Sequence, residues 1–123
     1  MIIDTNIIIY SVRPTSVLLH VWMLEQMPFY SVISRVESLG YNRLTSADRF
    51  ALEAVLSCMS ILYPTPETFE KAIRLRQQRR ISLGDALIAA TALEHHQILA
   101  TANVEDFAWI QGLTVINPLV QHG

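Results

Sequence analysis

Residues 82–102 read SLGDALIAATALEHHQILATA. Ala86, Leu87, Ile88, Ala89, Ala90, Ala92 and Leu93 leave the segment 85–96 almost uncharged. A helix that is apolar all round is a buried helix. After two histidines the pattern changes, and ILATA at 98–102 reads as a short strand. A buried helix feeding a buried strand is the repeating unit of an α/β domain with parallel strands and crossover helices.

The flanking sequence extends the same alternation. MIID at 1–4, FYSVIS at 29–34, ILY at 61–63 and LTVI at 113–116 have strand character. Helical spacing runs over 18–27, 34–43 and 46–59, the last with Phe50, Ala54, Val55 and Cys58 on one stripe. Thr65–Pro66 is a start signal for a helix to about residue 80, with Phe69, Ala72 and Ile73 as its core face. The predicted class is α/β: a four- to five-stranded parallel sheet flanked by helices, in a single domain spanning 1–123.

Composition narrows the function. The chain has 51% hydrophobic and 16% charged residues, which marks a globular domain, not a disordered tail. Its formal net charge is −2, so nucleic-acid binding would need a local basic patch. The single cysteine, Cys58, excludes an internal disulfide and a cysteine–zinc cluster, and is expected in the core. No signal peptide is evident, and no apolar run approaches the roughly 20 residues a membrane span needs. The expectation is a soluble cytoplasmic protein with no membrane segment.

In such a sheet the carboxyl ends of the strands and the N-termini of the following helices share one edge, where ligands bind. Asp4 ends the first strand, Glu37 falls in the first turn after FYSVIS, Asp85 opens the apolar helix, and Asn103 and Asp106 follow ILATA. Ser34–Glu37 and Ser82–Asp85 also match helix capping boxes, and acids are favoured in first turns by the helix dipole. Taken together, however, the carboxylates converge on one edge. Like charges drawn inward are costly unless a cation neutralises them. An oxygen-only set of this kind suits Mg²⁺ or Mn²⁺ better than zinc and points to metal-dependent phosphoester hydrolysis, in a nuclease or a phosphatase.

Four segments in order, MIIDTNIIIY, SRVESLGY, SLGDALIAATAL and ILATANVEDF, resemble the PIN domain family along essentially the whole chain. More narrowly, they resemble the single-domain ribonuclease toxins of bacterial type II toxin–antitoxin pairs, the VapC-like group. The resemblance implies a PIN-like three-layer fold and a Mg²⁺-dependent endoribonuclease restrained by a cognate antitoxin. It also implies a homodimer, an RNA substrate, and no DNA binding by this chain alone. By position, Asp4, Glu37 and Asp85 match the metal-holding acids. Thr5 and Asn6 match neighbouring polar positions, and Thr101 a hydroxyl after the fourth strand. Many members carry an acid where this chain has Asn103, which leaves Asp106 as the nearest acid that could contribute to the catalytic set. Where TRN is common in the family, this chain reads Thr101-Ala102-Asn103.

Lys71, Arg74, Arg76, Arg79 and Arg80 form the densest basic cluster. It complements the C-terminal end of its helix, and Arg76, Arg79 and Arg80 are also candidates for RNA contact. Trp22 and Trp109 could stack on bases, although their apolar neighbours favour core packing or a partner groove. His95 and His96 are expected to face water. A haloacid-dehalogenase-type phosphatase would need a second acid where Asn6 stands, together with a lysine. The main alternative is a PIN-like domain that has lost cleavage and acts as an RNA- or protein-binding module.

Overall fold

The computed structural model describes residues 1–120; residues 121–123, the end of the expected single domain, lie outside the described part. Five short strands form one sheet: β1 (Ile2–Ile3), β2 (Phe29–Ser31), β3 (Ser60–Leu62), β4 (Leu99–Ala100) and β5 (Val115–Ile116). All pairings are parallel and the order is β3-β2-β1-β4-β5. The connecting helices are α1 (Thr5–Ser11), α2 (Val17–Gln26), α3 (Val32–Leu39), α4 (Ser46–Ser57), α5 (Pro66–Gln78), α6 (Leu83–Glu94) and α7 (Val104–Phe107). The expected fold class is therefore the observed one, at the upper end of the strand count.

β1 is the centre. Ile2 lies opposite both Phe29 and Leu99, and Ile3 opposite both Tyr30 and Ala100. The chain builds outward from β1 to β3, then crosses back to add β4 and β5 on the other side. The order thus reverses between β1 and β4, and the crevice outside their carboxyl ends is where such sheets bind ligands.

The two-residue period of the strands divides the core into two layers. Ile2 and Leu99 pack with Ala72, Leu75, Phe107 and the apolar run of α6. Ile3 and Ala100 pack on the opposite face with Ile7, Ile8, Leu19, Met23, Leu52 and Leu56. Each fully buried isoleucine or leucine stabilises the fold by roughly 1.5–3 kcal/mol relative to exposure. As expected of a helix apolar all round, α6 is buried continuously from Ala86 to Ala92. Its alanines let α5 lie close alongside.

Several local expectations are corrected. The strand expected over 1–4 is only Ile2–Ile3, because the Asp4 carboxylate accepts the Thr5 N–H and turns the chain into α1. Three successive isoleucines then lie in a helix, where burial of Ile7 and Ile8 outweighs their β preference. β2 stops at Ser31, whose hydroxyl caps α3 by accepting the Ile33 N–H at 3.0 Å. Ser34 therefore lies inside the helix and is buried, the expected Ser34–Glu37 capping box is not formed, and Glu37 falls in the second turn. In α4 the buried residues are Leu52 and Leu56, while Phe50 and Cys58 are exposed. The stripe through 50, 54 and 58 lies about 200° round the helix from Leu52. In α5, Thr68, Ala72 and Leu75 are buried, and Phe69 and Ile73 face outward. Thr65 and Pro66 do start that helix, with a reciprocal Thr65–Thr68 capping box.

Candidate active site

Register places the first two side chains of the site. Because Ile3 pairs with Ala100, the residues that follow them, Asp4 and Thr101, leave the sheet side by side. The Asp4 N–H donates to the Ala100 carbonyl at 2.9 Å. The Thr101 hydroxyl donates to Asp4 Oδ2 at 2.8 Å, and the Thr5 N–H donates to Oδ1 at 2.7 Å. Thr101 in turn accepts the Asn103 N–H at 3.0 Å. Asp4 is only 4% exposed, and both its oxygens are engaged, one by the Thr5 N–H and one by the Thr101 hydroxyl.

Glu37 reaches this edge from α3. The Thr5 hydroxyl donates to Glu37 Oε1 at 2.6 Å and lies 2.9 Å from the buried Ser34 hydroxyl, one helical turn before Glu37. Thr5 is thus the bridge between the Asp4 backbone turn and the Glu37 carboxylate. On its other side Glu37 rests on Gly84: a Cβ there would collide with Oε2 and sit 3.1 Å from Cδ. That contact brings Glu37 to the first turn of α6, where the half-buried Asp85 follows Gly84. Ser82 caps the helix by accepting the Asp85 N–H at 3.1 Å.

The electrostatics agree with this convergence. Burial pushes the Asp4 carboxyl above its ordinary range; hydrogen bonds from Thr101 and Thr5 oppose the shift, and the charges of Glu37 and Asp106 add to it. Asp85 is pushed up to about 6, first by burial and then by the Asp4 charge, with Glu37 and Asp106 adding and the Ser82 hydrogen bond opposing. Carboxylates from separate segments of the chain thus bear on Asp4 and on Asp85. The lysines and arginines in ion pairs among the described residues, Arg49, Lys71 and Arg74, are all paired elsewhere.

Asp106 lies exposed on α7, in one cleft of about 310 Å³ with Asp85, Arg79, Arg80 and Trp109. Asn103 is the exposed N-cap residue of α7 and makes no side-chain cap bond. Asn6 is half-buried in the first turn of α1. Arg76 is exposed on α5, away from that cleft. His95 and His96 are exposed, as expected. Ser34 and Gly84 were not expected in the site. Gly84 had a legible signal, since a glycine just inside a helix carries a propensity cost that usually reflects a close approach.

The donor set is all oxygen and, among the described residues, is not ion-paired with lysine or arginine, a chemistry that would suit Mg²⁺ or Mn²⁺. As they stand, these carboxylates are shared out to Thr5, Thr101 and Ser82. Among the described residues no three His, Cys, Asp or Glu side chains are gathered tightly enough to grip one ion. The fit to a divalent cation therefore rests on donor chemistry and shared edge.

Comparison with known proteins identifies the family and the fold. The chain is 35% identical to Ribonuclease VapC1 of Rickettsia felis over 94% of each sequence. It superposes on a toxin–antitoxin complex from Klebsiella pneumoniae with a TM-score of 0.73 and 31% identity, covering 95% of this chain and 96% of that one. The fold also matches VapBC2 of Rickettsia felis bound to a DNA fragment from its promoter, at a TM-score of 0.80 and 23% identity, covering 94% and 96%. Residues 1–111, which hold every carboxylate of the site, match the PIN domain, and the chain belongs to the PIN domain family.

Proposed function

We propose that this chain is a metal-dependent endoribonuclease and the toxin of a toxin–antitoxin pair. The observation that carries the reading is geometric: Thr5 holds both Asp4 and Glu37, and Glu37 rests on Gly84 beside Asp85, so three carboxylates meet at the carboxyl edge of β1 and β4. The similarity to Ribonuclease VapC1 supports the RNA substrate, and the likeness to the Klebsiella pneumoniae toxin–antitoxin complex supports an antitoxin partner. A homodimer and a cytoplasmic location go with that assignment. No helix of the described residues is long and apolar enough to cross a membrane.

Asp4, Glu37 and Asp85 would hold Mg²⁺ or Mn²⁺, with Asp106 at the margin. The chemistry such a cation would supply is a lowered pKa for a bound water and charge neutralisation at the RNA phosphate. The protein's own contribution is orientation. The Thr101 hydroxyl and the Thr5 N–H fix the two oxygens of Asp4. The Thr5 hydroxyl and Gly84 fix the carboxylate of Glu37 from opposite sides. Ser82 sets the first turn from which Asp85 projects.

The test is cleavage of single-stranded RNA with Mg²⁺ or Mn²⁺. Asp4→Asn, which keeps the shape of the cap, abolishes cleavage and leaves the circular dichroism spectrum intact; excess EDTA also abolishes it. Cleavage that survives either treatment overturns the proposal. The rival, a binding module that no longer cleaves, draws on the amide at Asn103. It would shift RNA mobility without shortening the strand.

A further inference from the structure

We infer that Trp109 and Arg79 form a phosphate-holding subsite for the RNA strand beside the acidic centre, with Trp109 the positioning residue and Arg79 the contact. The ligand class rests on the ribonuclease reading above. Trp109 follows α7, and its Nε1–H donates to the Asp106 carbonyl at 2.8 Å. The ring also packs against the core layer that contains Phe107 and Ile110. One face of the indole is thereby held in a set plane on the cleft shared with Asp85 and Asp106. Over that face lies Arg79, with its guanidinium carbon 5.1 Å from the ring centroid, within cation–π range.

Arg79 is the C-cap of α5, where the backbone becomes extended at φ −160° and ψ 155°. Its position suits a role outward from the helix. The ion pairs among the described residues, Arg49–Glu53, Lys71–Glu67 and Arg74–Glu67, do not include it. Its charge is therefore held by an aromatic face and not spent on a carboxylate. This matters because a polyanion approaching Asp4, Glu37, Asp85 and Asp106 is repelled, and the chain as a whole carries a net charge of −2. A guanidinium held at the rim supplies the missing local attraction, and its planar fork matches a phosphate better than a lysine would. Arg80 lines the same cleft and adds to the field.

The experiment uses the full chain carrying Asp4→Asn, a labelled single-stranded RNA of mixed sequence, and affinity measured across a salt series. Arg79→Gln is expected to weaken binding about tenfold and to reduce the slope of log affinity against log salt by about 0.7, one phosphate contact on a single strand. Trp109→Ala should do the same, Trp109→Phe should retain most of the affinity, and the double variant should be no weaker than either single one. With Asp4 restored, Arg79→Gln should raise KM and leave kcat nearly unchanged, the mark of a contact made equally in ground and transition states. Arg79→Gln alone decides the matter if Trp109→Ala unfolds. Unchanged affinity and slope in Arg79→Gln overturns the subsite. Loss in Trp109→Ala without loss in Arg79→Gln also overturns it, and assigns Trp109 to base stacking. Absence of cleavage by the wild-type chain refutes the ribonuclease reading but leaves the binding result readable. Absence of any RNA binding refutes both.

Discussion

Thr101 Oγ1 donates to Asp4 Oδ2 at 2.8 Å although 97 positions of chain separate the two residues. The contact follows from the pairing of β1 with β4, and Thr101 is itself fully buried. Thr101→Val keeps the shape but removes a donor from a buried carboxylate and an acceptor from the Asn103 N–H. It should destabilise the protein by about 1–3 kcal/mol, and Thr101→Ser should recover most of that. Because this hydrogen bond opposes the upward shift of Asp4, the acid limb of any cleavage–pH profile should move to higher pH in Thr101→Val. Urea denaturation and a pH–rate series measure the two effects. An unmoved acid limb would show that Asp4 ionisation does not govern cleavage.

The pH dependence of stability should carry the signature of Asp85. Its folded pKa, about 6, lies above the ordinary 3.8, so the folded chain binds this proton more tightly than the unfolded chain. Stability from this group is fully present below about pH 4 and is lost as pH rises through 6. A shift of this size corresponds to no more than about 3 kcal/mol, and to less once partial solvent screening is counted. Asp85→Asn should therefore raise Tm at pH 7.5 in EDTA, with the gap over wild type closing as pH falls towards 4. The opposite shift of Glu94 is common to both proteins and cancels in the comparison. An equal gap at every pH would contradict the assignment.

Cation binding should reverse that ordering. A ligand that binds only the folded state raises Tm by mass action, and Mg²⁺ or Mn²⁺ should act most where the carboxylates repel most. Wild type should gain Tm on addition of millimolar Mn²⁺ at pH 7.5, and Asp4→Asn and Asp85→Asn should gain little. A similar gain in all three would place the cation elsewhere on the surface.

Much of the fold was legible because α6 and β4 are adjacent, nearly uncharged and of different period. Alternation then fixed the class, and topology brought Asp4, Glu37 and Asp85 to one edge. What was not legible has physical reasons. The run Ile7–Ile8–Ile9 carries strand propensity, and the burial of Ile7 and Ile8 in one core layer makes it helical, with Ile9 left exposed. Phe50, Cys58, Phe69 and Ile73 are apolar in composition but lie off the buried stripes of α4 and α5, and helix phase cannot be read when both faces are apolar. Glu37 was placed at the right edge with the wrong cap, because either Ser31 or Ser34 could begin α3. The cation–π pair of Arg79 and Trp109 joins residues 30 positions apart on different elements, and no local pattern announces it.

Gly84 gives the sharpest separation between site geometry and fold stability. Elsewhere in a helix, replacing glycine with alanine stabilises by roughly 0.5–1 kcal/mol. Here the added methyl would strike Glu37 Oε2. Glu37 is exposed, so its side chain can swing out to relieve the clash. Gly84→Ala should thus leave Tm unchanged or slightly raised while releasing Glu37 from the Thr5 hydroxyl and from the first turn of α6. RNA cleavage should fall by at least tenfold, approaching that of Glu37→Gln, and adding Glu37→Gln to Gly84→Ala should cost little more. Matching losses in single and double variants would show that the glycine acts through Glu37. A drop in Tm together with full activity would mean that the backbone of α6 moves instead of the carboxylate.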